Sequence, residues 1–534
     1  MRNLNLAKKK LLPQSLKWSA FLLLMMLTLM SASMFIVTPL ILNNMIRGQG
    51  TIGIINIAII VPVLVAGHAI EAGNVFLKNK LIQKYHVETA IMLYHNIFKL
   101  SYDAYLKMEP SKIQQKVYNA VDSYAQFFFG TIPKLIVSTI MILVTLTIVM
   151  ITNPIIALLM FSTLPLNYFG YKALNKKLAK LSIELNNVCS SAWKDENSII
   201  SQVDFIKQNP DNDYLLPLIR KQRNLAQDIT KKVNNYAKGV STILSASNLV
   251  IKNLLILFLA IMMLEDASFV GDALFIILIL PYFTSAVSGL TSMNLNISAI
   301  RVADAFIKEV EEAVAPDGKV SIDEIRDICI ALDEVSIEGK ILIRDVSIRL
   351  NKGDVVGVIG ESGKGKSTLA KLIMRFRPCN GIYVNGVSIS TLRNDDYLKL
   401  VSYYSQNAPI ISDTVLSNLN FGREPVAKQT YEKLNFLSKF SNLDEVILEN
   451  GANLSGGDKQ RISLSRYFSE KAEIVILDEP TNSLDKVTEH EILSEIFEKK
   501  DEKIVFLITH NQENLRFCTH KAEIKNERLI LTKL

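Results

Sequence analysis

The segment DVVGVIGESGKGKSTLA, Asp354 to Ala370, sets an apolar strand, a glycine-rich loop and the start of a helix in immediate succession. That order builds a cradle for nucleotide phosphates. Gly360, Gly363 and Gly365 carry no Cβ to block a tight loop, so successive backbone N–H groups can point inward at phosphate oxygens. Lys366 adds a mobile cation for the β and γ phosphates and Ser367 a hydroxyl for Mg2+, while the new helix turns its positive end to the same anion. The G-x-x-x-x-G-K-S match GESGKGKS therefore nominates Gly360, Glu361, Ser362, Gly363, Lys364, Gly365, Lys366 and Ser367, with Thr368 after them, as nucleotide-binding residues. The strand VVGVI before it supplies the context that makes the pattern specific.

Further polar groups follow at useful distances. IVILDEP, Ile474 to Pro480, is a buried strand ending in two carboxylates. On a parallel sheet the carboxyl end of a strand faces the nucleotide crevice, so Asp478 can reach Mg2+ and Glu479 can take a proton from an attacking water. Such pairs also serve as helix caps elsewhere. LSGGDKQR, Leu454 to Arg461, presents Ser455, Gly456 and Gly457 at another exposed helix start, a second anion site. Two such sites in one domain make sense in a dimer in which each completes the partner's. Gln406 after the strand VSYYS and His510 after KIVFLIT fall at the crevice edge near the γ phosphate in this architecture, although either alone reads more readily as an ordinary loop residue.

The elements that must hold these groups divide the chain in two. Its 534 residues exceed one core. Hydrophobic residues make up 49 % and the mean hydropathy is +0.23, with the apolar excess in the first 300 positions. No charge appears from Trp18 to Ile46, longer than the roughly 20 residues a spanning helix needs and too long for a signal peptide. A second apolar stretch ends near Ile70. Leu135 to Tyr171 is uncharged and broken at Thr152-Asn153-Pro154 into a hairpin, and Val240–Leu264 and Phe269 to about Leu290 form another pair around Glu265-Asp266. Six spans result, with long polar helical sections at Glu71 to Asp122 and Lys172 to Lys238, the latter joined near Asn209-Pro210-Asp211-Asn212.

The tail carries Arg2, Lys8, Lys9, Lys10 and Lys17 and the long sections are lysine-rich, whereas the short turns hold only Arg47. By the positive-inside rule the N-terminus, those sections and the C-terminal domain face the cytoplasm of a multi-pass cell-membrane protein. The net charge of +7 then reflects loops beside anionic lipid, and no nucleic-acid partner is expected. Cys189, Cys329, Cys379 and Cys518 form no metal or disulfide pattern, in keeping with a reducing compartment. The expected fold is an α-helical transmembrane bundle of six spans with long intracellular helical extensions (residues 1–313), a linker (314–323) and an α/β P-loop NTPase domain (324–534).

These motifs together closely resemble the ATP-binding cassette (ABC) transporters, and specifically exporter-type half-transporters that fuse a six-helix membrane domain to a C-terminal nucleotide-binding domain. The motifs stand in family order: GESGKGKS as Walker A, Gln406 as Q-loop, LSGGD as signature, IVILDE as Walker B, Asn482-Ser483-Leu484-Asp485 as D-loop and His510 as switch histidine. In the membrane half the resemblance rests on NAVDSYAQFF and on Glu196 to Lys207. It implies ATP and Mg2+ as cofactors, catalytic roles for Glu479, His510 and Gln406, metal contacts from Ser367, Gln406 and Asp478, and nucleotide contacts from the Walker A loop, Ser455, Gly456, Gly457 and Asp485. It also implies a second half-transporter, identical or different, that sandwiches two ATP molecules with this one. Closure would pass through short intracellular coupling helices.

Three departures stand out. The adenine-stacking aromatic should fall near the end of VSIEG, where Ile337, Glu338 and Gly339 stand; Asp458 replaces the usual glutamine and brings a carboxylate toward the nucleotide; and the segment from Gln406 to Ser455 is short. The resemblance implies ATP-driven export across the cytoplasmic membrane, with a small peptide such as a bacteriocin as cargo. The alternatives are a lipid or drug exporter, or a weakly hydrolysing regulatory half of a heterodimer. With no peptidase domain ahead of the first span, leader processing is not expected. Lys252, the only charge in the fifth span, lies about 18 Å of helix from each end; it is expected either to face the bundle interior and meet a carboxylate or phosphate on the cargo, or to lie nearer an interface and reach the headgroups. Lys134 in the third span is expected to reach the headgroups.

Overall fold

The computed structural model describes residues 18–47, 54–208, 213–265, 269–292, 294–337, 339–361, 363–422, 442–469, 471–498 and 500–534. The chain forms two compact units. One runs to Leu100 and resumes over Ala104–Val314, and the other holds Ser101–Asp103 and Ala315–Leu534.

The first unit is helical: α1 (Trp18–Arg47), α2 (Ile54–Phe98), α3 (Tyr102–Lys107, whose first two residues belong to the second unit), α4 (Pro110–Gln126), a π-turn at Phe127–Thr131, α5 (Ile132–Thr152), α6 (Pro154–Ile200), α7 (Val203–Gln208), α8 (Leu215–Glu265), α9 (Val270–Ser292) and α10 (Asn294–Glu312). Among the described residues five helical stretches are long and apolar enough to cross a membrane: Ser19–Ile41, Ala58–Phe98, Pro110–Thr152, Leu215–Glu265 and Val270–Leu290. The sixth expected span is the apolar start of α6, Pro154–Gly170. Its 17 residues give about 25 Å of helix, close to the roughly 30 Å of a bilayer core. The polar sections are largely continuations of the spanning helices: α2 has 45 residues, α6 has 47 and α8 has 51. The α5–α6 hairpin turns as its sequence dictates. Asn153 is the N-cap of α6, its side chain accepts from the N–H groups of Ile155 and Ile156, and Pro154 follows at the first helical position. The expected joint at Asn209–Asn212 lies outside the described residues.

Two larger cores and a smaller cluster of Leu178, Val233 and Ala237 pack the described residues of this unit. Ile142, Val149, Met160, Leu259, Ile279 and Phe283 pack α5, α6, α8 and α9 together. Tyr85, Val117, Val121, Phe129, Phe306 and Val310 do the same for α2, α4 and α10, where the Tyr124 hydroxyl also donates to Asp304. Asn167 of α6 and Asn248 of α8 exchange amide hydrogen bonds of 2.9 and 3.0 Å, satisfying both polar groups inside the bundle.

The second unit is built on a ten-stranded sheet of order β5-β4-β1-β2-β10-β9-β3-β8-β7-β6. The strands are β1 (Asp327–Ile337), β2 (Lys340–Asn351), β3 (Val355–Gly360), β4 (Ile382–Val384), β5 (Val387–Ser388), β6 (Val401–Tyr404), β7 (Ile474–Asp478), β8 (Ile504–Ile508), β9 (His520–Lys525) and β10 (Arg528–Lys533). The helices are α11 (Lys366–Ile373), α12 (Asn394–Leu400), α13 (Val415–Asn420), α14 (Gly456–Ser465) and α15 (Lys486–Glu498). β6, β7, β8, β3 and β9 run parallel. β3, β7 and β8 are continuous apolar runs because both faces are covered. Val356, Val358, Ile476 and Phe506 enter one core, and Val355, Val475, Leu477 and Leu507 the other. The segment expected as a linker is tied down: Lys319 and Val320 both donate from backbone N–H to the Thr391 carbonyl, and Arg393 donates back to Val320. Within the same unit Tyr102 stacks on Phe376 with ring centroids 5.4 Å apart, and Asp103 pairs with Arg377 at 3.2 Å.

Candidate functional site

Parallel register brings the strand ends together. Val358 of β3 and Asp478 of β7 both pair with Ile508 of β8, and Tyr404 of β6 pairs with Leu477. The Lys366 loop, Gln406, the Asp478-Glu479 pair and His510 therefore leave the sheet at one edge. This is the carboxyl edge where ligands bind in open α/β sheets.

The loop has the backbone its glycines permit. Gly360, Gly363 and Gly365 sit at φ of 155°, 78° and 100°, all in the region that side chains disfavour. A Cβ on Gly365 would come 3.1 Å from Leu342 and 3.2 Å from Ile343 of β2, so that glycine also admits a close strand. Lys366 begins α11, is buried, and reaches back to donate to the carbonyls of Gly360 at 2.7 Å and Glu361 at 3.0 Å. Burial lowers the pKa of its ammonium, and the carboxylates of Glu479 and Asp478 oppose that shift. Glu361, Lys364 and Ser367 are exposed at the loop and Thr368 is half-buried, with Lys364 pairing to Glu361 at 3.6 Å. Ser362 lies outside the described residues.

Glu479 is the centre of the arrangement. Its Oε1 lies 2.5 Å from His510 Nε2; its Oε2 accepts from Gln406 Nε2 at 2.9 Å and from Asn482 Nδ2 at 3.4 Å. Three loops from separate strands thus aim one carboxylate. The backbone there has φ 50°, sparsely populated for a glutamate and a place where structures hold functional side chains under strain. Asp478 is buried and accepts from the Tyr403 hydroxyl at 2.9 Å. Burial raises the pKa of that phenol, and the Asp478 charge raises it further. Tyr403 was not among the sequence candidates. Its signal, an aromatic three residues before Gln406, has meaning only once β6 is known to lie beside β7.

Ser455, Gly456 and Gly457 form a separate place, packed against Ser483 and Leu484. A Cβ on Gly456 would lie 3.3 Å from the Ser483 hydroxyl, one on Gly457 would lie 3.1 Å from the Ser483 carbonyl, and Gln460 accepts from Ser483 N–H. Ser455 caps α14. The Asp458 carboxylate is buried and turns back to accept from Ser455 N–H and Oγ, completing a capping box. Asp485 is likewise engaged at a helix start, accepting from Thr488 N–H and hydroxyl ahead of α15, bonds that hold its carboxyl below the usual range. Gly339 stands in the β1–β2 turn at φ 80° with nothing within 4 Å of a built Cβ. Ile337 ends β1, and the third residue of that expectation, Glu338, falls outside the described residues.

Oxygen donors suit the expected cation. The Ser367 hydroxyl and Asp478 carboxylate are hard ligands, and the hydrogen bond from Gln406 Nε2 leaves its amide oxygen as a third. The described residues contain no cluster of His, Cys, Asp and Glu of the kind that binds softer metals.

Comparison with known proteins agrees with this geometry. The family profile described as "ABC transporter transmembrane region" matches residues 18–287, and that described as "ABC transporter" matches residues 343–482. A probable ABC transporter ATP-binding/permease protein of Haemophilus influenzae is 30 % identical over 301 residues, 52 % of this chain and 53 % of its own. The alignment thus spans about half of that relative's length. A lactococcin transport/processing ATP-binding protein of Lactococcus lactis subsp. lactis is 23 % identical over 490 residues, 86 % of this chain and 66 % of its own. A solved bacterial Atm1-family ABC exporter with ATP bound superposes with a TM-score of 0.84 at 16 % identity, covering 97 % of this chain and 96 % of that one, which establishes the shared fold. With the helical unit and the cassette both matched in one polypeptide, the chain belongs to the ABC transporter family.

Proposed function

We propose that this chain is one half of a dimeric ATP-driven exporter of the cytoplasmic membrane, with its N-terminus and cassette in the cytoplasm. The observation that carries the reading is the single carboxylate of Glu479 held by His510 and Gln406 beside the Lys366 loop. Loop N–H groups and Lys366 hold the triphosphate. Glu479 accepts the proton of the attacking water, His510 orients that carboxylate from one side and Gln406 from the other, and Ser455 to Gly457 of the second half-transporter close over the γ phosphate. Ser367, Asp478 and Gln406 would hold Mg2+, which when bound neutralises charge developing on the phosphate oxygens. Cargo is proposed to be a small peptide such as a bacteriocin, a reading supported by the printed name of the Lactococcus lactis relative.

A second reading, a weakly hydrolysing half of a heterodimer, is favoured by the turn glycine at Gly339 and by the Asp458 charge at the signature helix. ATPase activity of the chain purified alone separates the two. The direct test of the catalytic assignment is Glu479→Gln: ATP still binds while turnover falls by about 10²- to 10⁴-fold, the typical contribution of a positioned base. Lys366→Ala should instead weaken ATP binding. Full hydrolysis by Glu479→Gln removes Glu479 as the base.

A further inference from the structure

Two loops flank Glu479, and a second carboxylate ties those loops together at a distance from the phosphate cradle. On one side Asn482, in the loop after β7, reaches Glu479 Oε2 at 3.4 Å. On the other His510, after β8, stands 2.5 Å from Glu479 Oε1. Glu489, in the first turn of α15, presents one oxygen to both loops. Its Oε1 accepts from the Thr481 hydroxyl at 2.7 Å and from Asn514 Nδ2 at 2.7 Å. Thr481 directly precedes Asn482, and Asn514 follows His510 within the 3-10 segment Gln512–Phe517. A ring therefore closes through Glu479, Asn482, Thr481, Glu489, Asn514 and His510, its links made of side-chain contacts and short stretches of backbone.

Burial gives the two bonds to Glu489 their weight. Thr481 is 6 % exposed and Asn514 3 %, so withdrawing the shared oxygen strands a buried hydroxyl and a buried amide, and the loops must shift to satisfy them. Backbone bonds seat each member: Leu484 N–H donates to the Thr481 carbonyl at 3.0 Å, Asn514 N–H to the Asn511 carbonyl at 3.3 Å, and Glu489 N–H to the Asp485 carbonyl at 2.8 Å. An acidic residue in the first turn of a helix is ordinarily explained by the helix dipole, which needs a charge there and no particular partner. The Glu489 side chain instead meets two buried donors from two loops. A misplacement of about 1 Å in a catalytic group can cost 10²-fold in rate, so a clamp on both loops has leverage on Glu479.

We propose that Glu489 is a positioning residue for ATP hydrolysis. By holding Thr481 and Asn514 on one oxygen it sets the spacing of Asn482 and His510, and these aim the Glu479 carboxylate. Glu489 acts through that pair and not on the nucleotide. The proposal rests on Glu479 being the base and deepens that reading.

The test uses the full chain in proteoliposomes, with ATPase rates expressed per site that binds the ATP analogue AMP-PNP, so that misfolded protein does not enter the rate. Glu489→Ala should lower kcat at least tenfold and leave the KM for ATP within about twofold, the pattern of an interaction lost from the transition state. Glu489→Gln keeps an acceptor oxygen without the charge and should stay within about threefold of the unmodified protein. Thr481→Val should lower kcat at least threefold, and Thr481→Ser, which keeps the hydroxyl, should restore it. In a His510→Ala background, Glu489→Ala should cost less than a further twofold, since residues acting through one group are not additive.

An unchanged kcat in Glu489→Ala overturns the proposal. Equal losses in the Ala and Gln variants do so in favour of a helix-end charge, a KM that rises with the fall in kcat does so in favour of nucleotide binding, and a further tenfold loss beside His510→Ala shows a separate route. If Glu489→Ala binds no AMP-PNP, the Thr481 pair decides: loss with Val and recovery with Ser support the clamp, and equal rates overturn it. Glu479→Gln measured alongside separates the two readings. Full hydrolysis by that variant defeats the base assignment and the clamp with it, whereas its loss of hydrolysis beside an unaffected Glu489→Ala defeats the clamp alone.

Discussion

The Glu479 carboxylate, the base in the proposed function, shows how little freedom a side chain retains when three strand-end loops converge on it. Behind it, the Tyr403 hydroxyl holds Asp478 at 2.9 Å. Tyr403→Phe should lower kcat/KM by about tenfold, since a hydrogen bond to a charged group is worth about 1.5 to 3 kcal/mol. It should also raise the Mg2+ concentration needed for half-maximal activity; a titration with an unshifted midpoint would confine Tyr403 to packing. Gly339 carries a different lesson. An aromatic there would have to adopt φ 80°, at a cost of about 1 to 2 kcal/mol that offsets the roughly 1 to 3 kcal/mol of a base–aromatic stack. Gly339→Tyr is therefore expected to bring no fall in the KM for ATP. The unmodified protein should show ATP and GTP KM values within about tenfold of each other, measured by hydrolysis of each nucleotide separately.

At the scale of the element, α14 is a capped helix that in the proposed dimer would also meet phosphate. Asp458 serves the first role and opposes the second, because its carboxylate adds negative charge to the helix end whose dipole attracts anions. Asp458→Gln preserves the reciprocal cap and removes the charge, so the KM for ATP should fall about two- to fivefold, in line with 0.3 to 1 kcal/mol for a charge at a helix end. Asp458→Ala breaks the cap and should lower the melting temperature of the protein. A KM unmoved by Asp458→Gln would show that the carboxylate is electrostatically silent there. The S-x-x-D capping pattern was present in the letters; which way its carboxylate turned was not, because that depends on the Ser455 backbone N–H it meets.

At the scale of the whole molecule, Ser455 to Gly457 pack on the Ser483 segment, and a dimer would complete each nucleotide site with the partner's signature loop. Differently tagged Lys366→Ala and Gly456→Asp chains can be co-expressed and the mixed dimers isolated through both tags. One site in the mixture carries both lesions and the other none, so ATPase activity should exceed that of either mutant homodimer. Activity no greater than the mutants' would remove the composite site, and failure to recover doubly tagged complexes would favour a different partner half.

Sequence by itself determined what depends on near neighbours along the chain. The glycine loop at Gly360–Gly365, the Asn153 cap between α5 and α6, the apolar spans and the β-branched strands of the cassette all follow from local sterics and from the period of burial. Membership of the family also followed, because its motifs are short and ordered. Only the tertiary structure decided which distant residues meet. The sheet order places β3 between β8 and β9 and β7 between β8 and β6, so Gln406, Glu479 and His510 become neighbours across many residues of chain and Tyr403 comes to lie under Asp478. The same holds for Lys252, which shares a crevice with Thr284 and Val287 of α9, and for Lys134, which lies beside Gly289 of that helix. Helical periodicity says which residues share a face of their own helix, but which neighbouring helix covers that face is decided by packing.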